Sequence, residues 1–455
     1  MTQAHSHAIV LSGSMAGLCA ARVLADHFSR VTIIERDLLD DSVAPRKGVP
    51  QGQHLHSLLI GGARVLERLF PGFRSELIAR GATPDDVGQA RYCIGGVHLV
   101  NAPSDLEILR MSRPLVESYV RERVRELRNV KLLDGCDVLG VTVVDSAVRG
   151  VRMVRRQLKV EQWMPATMVV DATGRGSKLP HWLRDFGFEM PREDRVRVDV
   201  GYTSCTYRRP VATQTRPGIL IGPSAPNTRA GVGAVMEGDR FIVSLIGYLG
   251  DYAPTDVSGL SEFARTMPAS DLHEVMRDAV PLTKPVPARF PFSQLRYYER
   301  LRKFPFGLLA IGDAICSFNP MYAQGMSVAA LEADLLDRCL REYSGDDLRC
   351  AYFDGCSAII DAPWRLTVGA DLRFPEVSGS RPLSARLRNL YLKRLARAAG
   401  EDPEVALAFL RVTNLVNPPS SLFALRIATR VAAHAFARRS SAPQLSAATN
   451  AADPA

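Results

Sequence analysis

Ala8-Ile9-Val10-Leu11-Ser12-Gly13-Ser14-Met15-Ala16-Gly17-Leu18 is followed, after a run with helical spacing to Phe28, by Val31-Thr32-Ile33-Ile34-Glu35. The apolar residues Ala8 to Leu11 predict a buried strand, and Ser12 to Gly17 a turn of small residues. Leu18 to Phe28 predicts a helix, and Val31 to Ile34 a second buried strand. Small residues between a strand and a helix let the backbone approach a pyrophosphate, whose charge is favoured at the positive end of the helix. Glu35 ends the second strand, where an acid accepts hydrogen bonds from an adenosine ribose. The G-x-G-x-x-G pattern is incomplete. Ser12 and Ser14 occupy its first two glycine positions, Gly17 its third, and Gly13 adds freedom out of register. Read alone, the unit fits a strand-turn-helix without a ligand as well as it fits a dinucleotide site.

A second signal lies far along the chain: Leu308-Leu309-Ala310-Ile311-Gly312-Asp313-Ala314, then Pro320, then Gln324-Gly325-Met326. An apolar strand from Gly307 to Ile311 stops at Gly312, where a missing side chain allows close contact with a ligand. Asp313 can accept from a sugar-like hydroxyl. A helix from Gly325 to Leu340 aims its N-terminus at the same place and favours negative charge there, such as that of a reduced isoalloxazine. Alone, this is equally a Gly-Asp turn that ends a strand. The two signals together point to one nucleotide site assembled from both ends of the chain.

Between them, an amphipathic helix is predicted from Ser57 to Leu69. Short strands lie between Tyr92 and Leu109, around a Gly95-Gly96 turn. Ser112 is placed to cap a helix through Val124, with Pro114 in its first turn. Val130 to Leu133, Val138 to Val144, Val148 to Val154 and Met168 to Val170 read as strands, the last leading into the turn Ala172 to Ser177. Val196 to Tyr207 alternates strongly, and Gly231 to Val235 pairs with Phe241 to Gly247 across Glu237-Gly238-Asp239, as in an antiparallel sheet. The fold class is therefore α/β: a Rossmann-like dinucleotide-binding domain, an inserted antiparallel sheet domain on the substrate side, and a helical C-terminal region. The nucleotide domain is expected in three parts (1–80, 113–190, 296–345), with substrate-domain strands at 81–112 and the sheet at 191–295. Helices fill 346–438, and 439–455 reads as a disordered tail.

Composition bounds the function. The chain has 455 residues, 46% hydrophobic and 23% charged, as soluble globular proteins do. The net charge of +9 is scattered without a block of like charges, which argues against nucleic acid. Eight cysteines without CxxC spacing read as reduced thiols of a cytoplasmic protein, and the lone His54-Leu55-His56 pair falls short of a metal site. Neither Ala8 to Ala21 nor Ala314 to Leu331 reads as a signal or a membrane span. The basic, apolar segment from Leu410 to Arg439 is a candidate for peripheral membrane contact, or else packs on its own domain.

The sequence resembles the FAD-dependent monooxygenases of the aromatic-hydroxylase fold. It is most similar to the branch of polyene epoxidases from polyether biosynthesis, with squalene epoxidase as a distant relative. The resemblance rests on Gly13 to Leu18, Glu35-Arg36-Asp37, Gly48-Val49-Pro50-Gln51-Gly52 with His54 and His56, Ser112-Arg113-Pro114-Leu115, Val169 to Ser177, and above all Gly312 to Met326. It implies that Gly13, Ser14, Met15, Ala16 and Gly17 form the pyrophosphate turn, that Glu35 holds the ribose, and that Arg36 lies beside the adenine. It further implies Arg46 near the flavin or its phosphates, Arg113 on the phosphate or ribityl portion, and Val138 meeting adenine through its backbone. Gly312 with Asp313 would take the ribityl chain, and Gly325 with Met326 would face the flavin pyrimidine. The activity implied is epoxidation or hydroxylation of a lipophilic metabolite (polyketide, terpenoid or aromatic), using NAD(P)H and O2 through a C4a-hydroperoxyflavin. No catalytic acid, base or metal is assigned.

Three departures from the family pattern stand out: Ser12 for Gly, Ala323 for the Gly before Gln324-Gly325, and Thr173 for the Asp of the D-G motif linked to NAD(P)H. The last leans towards prenyl- or polyene-chain reductases and halogenases. The halogenase W-x-W-x-I-P segment is absent, the tryptophans being Trp163, Trp182 and Trp364. A nucleotide-binding, membrane-associated protein without catalysis is the remaining reading. Tyr202, Tyr207, Phe241 and Tyr248 are expected either on an apolar substrate wall or in the core.

Overall fold

Short apolar runs with no polar face have to be covered on both sides, and here they form a parallel sheet. In the computed structural model, which describes residues 6–40, 42–211, 218–381 and 383–440, its strands are His7–Leu11, Arg30–Ile34, Val130–Leu133, Met168–Asp171 and Leu308–Ala310. Their spatial order is Leu308–Ala310, Met168–Asp171, His7–Leu11, Arg30–Ile34, Val130–Leu133. The chain thus leaves His7–Leu11 to one side for its next two strands and to the other for its last two. That reversal opens a crevice beyond the carboxyl end of His7–Leu11, where ligands bind in open α/β sheets.

Helices Met15–His27, Arg113–Arg125 and Gly325–Glu342 pack on this sheet. Ser112 caps the second of them, its hydroxyl accepting from Leu115 N–H, with Pro114 in the first turn as the sequence predicts. Leu18, Leu24, Val120, Ala330 and Leu336 are fully buried between these helices and the strands. An antiparallel sheet of Cys136–Val144, Ala147–Arg155 and Val160–Pro165 joins the same core through Val141, Val151 and Met153. Its third strand is absent from the sequence reading, because Val160 to Pro165 carries charge and lies mostly exposed.

The second body is an eight-stranded sheet in the order Cys316–Ser317, Val286–Arg296, Glu193–Arg208, Arg240–Gly247, Arg229–Met236, Gly218–Ile221, Arg91–Ile94, Val97–His98. It is antiparallel except where Gly218–Ile221 runs parallel to Arg91–Ile94, a departure from the purely antiparallel expectation. The predicted hairpin is present, closing with Met236 opposite Arg240. On its far face, Tyr207, Phe241, Val243 and Leu245 are sealed by helices Val257–Arg265 and Asp271–Arg277. Tyr248 is buried against Phe374, with ring centroids 5.3 Å apart. Of the four aromatics considered for the substrate wall, Tyr202 lines the cleft and the other three are core.

Four helices complete the described chain: Gly345–Asp371, Leu383–Ala399, Pro403–Thr413 and Leu425–Ser440. The segment Leu410 to Arg439 is therefore split between two helices. Arg426 and Arg430 there pair with Glu404 and Asp402, and Val412, Ile427 and Val431 are buried with Leu395. Residues 439 and 440 end the last helix, and the rest of the expected tail lies outside the described residues. Among those residues no helix is long and apolar enough to cross a membrane.

Candidate functional site

The two glycine-marked turns meet. A Cβ on Gly312 would lie 2.8 Å from Ala16 Cβ, and Gly312 adopts φ +67°, so glycine alone fits both the space and the backbone. The turn after Met168–Asp171 joins them, since a Cβ on Gly174 would lie 3.8 Å from Asp313 Cβ. Three strand ends from distant parts of the chain thus form one wall of a cleft of about 1740 Å³ between the parallel sheet and the eight-stranded sheet. Small-molecule sites commonly occupy about 300–1,000 Å³, so a dinucleotide and a second ligand can be held together.

At the nucleotide end, Ser14, Met15 and Ala16 line the cleft at the start of helix Met15–His27. Gly13 and Gly17 stand behind this wall. Gly13 N–H donates to Glu35 Oε2 at 2.7 Å, and a Cβ on Gly17 would fall 1.9 Å from Ser12 O. Ser12 takes φ +87°, so the serine at the first glycine position holds a conformation natural to glycine. Glu35 is buried at the cleft edge beside exposed Arg36, while Val138 lies on the same wall with Cys136 and Asp137.

Arg46 reaches the cleft but is largely engaged within the protein. Its Nε donates to Glu117 at 2.7 Å, its Nη1 to Asp37 at 3.0 Å with Glu35 at 3.2 Å, and its Nη2 to Gly13 O at 3.2 Å. Burial alone would lower this guanidinium's pKa; Glu117, Glu35 and Asp37 outweigh it and raise it. Arg46 therefore ties the 36–52 loop to the first turn. Arg113 is the freer cation, with a single 3.4 Å bond to Glu117. Glu117 was not singled out from the sequence, although its i,i+4 spacing from Arg113 was a visible signal.

Asp313 opens onto the cleft and is enclosed by protein on its other sides, which raises its carboxyl pKa against the pull of Arg113 and Arg175. Among the described residues its one side-chain hydrogen bond is a long one, 3.5 Å from Ser317 Oγ, leaving acceptor capacity for a hydroxyl. Gly325 and Met326 begin helix Gly325–Glu342 at the same wall, where first-turn N–H groups lack helical partners. Behind Gly312, the buried Glu332 accepts its N–H at 2.6 Å. Burial pushes the Glu332 carboxyl up to about 8, and its second oxygen has no partner. Ala323, at the other departed glycine position, takes φ +53°.

The wall opposite is built by the sheet and by the 48–59 loop, which carries His54 and His56. Both line the cleft. His54 is buried edge-on to Tyr202, 4.6 Å between centroids, and desolvation pushes it down to about 4. Leu55 N–H donates to Ser244 Oγ at 3.2 Å, leaving the Ser244 hydroxyl to donate to Ser204 at 2.5 Å and that of Ser204 to donate to His54 Nδ1 at 2.8 Å. This direction gives both serine hydroxyls an acceptor and places the imidazole proton on Nε2. Arg175 lies over Phe292 and Phe290, 4.0 and 4.7 Å from their centroids. Asp371, raised by burial to about 7, accepts from Asn319 and Tyr322 at 3.0 and 3.2 Å. Among the described residues every cysteine is a free thiol, and no three His, Cys, Asp or Glu side chains group to hold a metal.

Solved structures with this architecture include the flavin-dependent brominase Bmp2 (TM-score 0.66, 15% identity, covering 95% of this chain and 100% of that one). Another is p-nitrophenol 4-monooxygenase PnpA from Pseudomonas putida DLL-E4 (0.65, 15%, 91% and 99%). A third is a flavoprotein/dehydrogenase from Cytophaga hutchinsonii (0.67, 12%, 96% and 99%). The chain has the fold shared by flavin-dependent monooxygenases and halogenases. It is 31% identical over 452 residues to Protein Rv3254 of Mycobacterium tuberculosis (strain ATCC 25618 / H37Rv), covering 94% of this chain and 93% of that protein, and belongs to the same family. No family model matches the sequence. The glycine-only contact at Gly312, the open acceptor of Asp313 and two helix N-termini facing one cleft fit a flavin dinucleotide.

Proposed function

We propose that the chain is an FAD-dependent monooxygenase, using NAD(P)H and O2 to hydroxylate or epoxidise a hydrophobic polyketide, terpenoid or aromatic molecule. The observation that carries this reading is the contact of Gly312 with Ala16, which brings both halves of the nucleotide site onto one cleft. When bound, FAD supplies the redox chemistry: it accepts a hydride and activates O2. The protein binds, orients and excludes water. The Ser12–Gly17 turn receives the pyrophosphate at a helix N-terminus, Glu35 the ribose, Arg36 and Val138 the adenine, and Arg113 a phosphate or the ribityl chain. Arg46 stiffens this end. Asp313 accepts from a ribityl hydroxyl, and the N–H groups of Gly325 and Met326 face the pyrimidine edge, favouring negative charge there. Tyr202, Ile246 and Phe290 present an apolar wall to the substrate. His54 lines the same space as a neutral imidazole. Polyene epoxidation, as in the branch the sequence resembles, is the finer form of this reading.

A halogenase is the second reading, supported by the likeness to the brominase and opposed by the missing W-x-W-x-I-P segment. The test is to purify the protein, measure flavin per chain, and repeat with Asp313→Ala. Loss of a charged acceptor is expected to lower flavin retention by about ten-fold or more. Bleaching by NADPH should accelerate with a lipophilic substrate, and the product should gain one oxygen from O2. A colourless wild-type protein, or unchanged retention in Asp313→Ala, refutes the site; a halide-dependent product moves the chain to the second reading.

A further inference from the structure

Helix Leu383–Ala399 carries Arg386, Arg388, Lys393, Arg394 and Arg397 and no acid. None of these five cations forms an ion pair among the described residues, whereas Arg411, Arg426 and Arg430 on neighbouring helices are all paired. Leu383, Leu387 and Leu390, spaced to share one helical face, are 75%, 67% and 49% exposed. Phe423, stacked on Tyr391 at 4.8 Å, and Leu425 add two more exposed apolar side chains beside that helix. The helix also lines the cleft, through Arg388, Leu392, Lys393, Ala396 and Arg397 with Leu390 at the rim, leaving Arg386 and Arg394 outside it, and Arg365 and Arg373 stand on the adjoining wall. The acids lining the cleft, Glu35, Asp137 and Asp313, all lie at the nucleotide end. The mouth is therefore apolar and cationic, and it sits beside an unpaired basic helix.

We propose that this face docks on an anionic lipid surface, with leucines entering the headgroup–acyl boundary and arginines on the headgroups, so that the cleft opens against the bilayer. Delivery of a lipophilic substrate from the bilayer rests on the function proposed above; the docking itself does not. Charge decides against a second copy, because two such helices would bring ten cations together. Nucleic acid would leave the leucines against phosphates. The lipid surface satisfies both the charge and the apolar face.

The experiment is flotation of the full chain with vesicles of phosphatidylcholine alone or mixed with phosphatidylglycerol. The protein is expected to float with the mixed vesicles, far less with phosphatidylcholine, and less again in high salt. Leu383→Ser with Leu387→Ser, and separately Arg386→Glu with Arg394→Glu, should each cut the lipid-bound fraction by about ten-fold or more with unchanged circular dichroism, since all four side chains are exposed. Absence of flotation with mixed vesicles, or flotation unaffected by both pairs of substitutions, overturns the proposal. So does variant-sensitive binding to polyglutamate without flotation, which assigns the face to an acidic protein, or a dimer abolished by the leucine substitutions, which assigns it to a second copy. Flotation is read from the protein band, so it stands or falls independently of flavin content.

Discussion

Replacing Glu332 by Gln should remove a large part of the protein's loss of stability between pH 5 and pH 8. Glu332 is fully buried, holds the Gly312 N–H and titrates near 8 rather than 4.5. Between those values the folded protein keeps a proton that the unfolded chain has released, so this group's contribution to stability falls as pH rises and levels off above 8. From pH 5 to pH 8 the loss amounts to about 3–4 kcal/mol at ~1.4 kcal/mol per pH unit. Gln keeps an oxygen for Gly312 N–H but cannot ionise. Its unsatisfied amide adds a cost that does not vary with pH, so the slope is the readout and the absolute stability is not. For unfolding as one unit at ~2 cal/mol/K per residue, the wild type should lose about 4 °C of Tm relative to the variant across that range. Differential scanning fluorimetry of both proteins in matched buffers measures it. Tm curves that run parallel from pH 5 to 8 would show that Glu332 is already ionised in the native state, and the account of the Gly312 turn would fail.

Ala323→Gly should stabilise the protein by up to about 1 kcal/mol, because relief of a left-handed alanine outweighs the added freedom of the unfolded chain; a lower denaturant midpoint would refute this. His54, held down to about 4, stays neutral through the physiological range, so stability linked to it is lost as pH falls from about 6.5 towards 4. Nitrogen-15 spectra of labelled histidine should show an unchanging Nε2–H tautomer from pH 5.5 to 8, and a titration centred near 6.5 would contradict the Ser244–Ser204–His54 chain.

The elements around the cofactor cleft were legible because their signals are local. The run Ala8 to Leu11, the Ser112 cap and the Glu237-Gly238-Asp239 hairpin turn each occupy a few adjacent residues, and each appears where expected. What escaped is non-local. Arg46 is defined by Glu35, Asp37 and Glu117, and no spacing rule joins all three. Strand Val286–Arg296 hides behind Pro287 and Pro291, which break the alternation and propensity by which strands are recognised. Tyr207 and Phe241 alternate as Tyr202 does, but two helices cover their face, and period-2 patterning cannot say which side of a sheet meets a ligand. The basic face at the mouth also differs from the segment singled out in the sequence, since pairing of Arg426 and Arg430 depends on which helix lies beside them.

The order of the parallel sheet constrains how this protein is made. Leu308–Ala310 must lie alongside Met168–Asp171, so more than two thirds of the 455 residues have to leave the ribosome before that neighbour exists. Until then Val169 and Val170 belong to an unprotected border with unsatisfied amides, the kind of border that recruits other nascent chains. A fragment ending before Gly307 would carry that border permanently. Attempts to obtain the amino-terminal portion by itself should therefore be limited by self-association, however well its own strands and helices form.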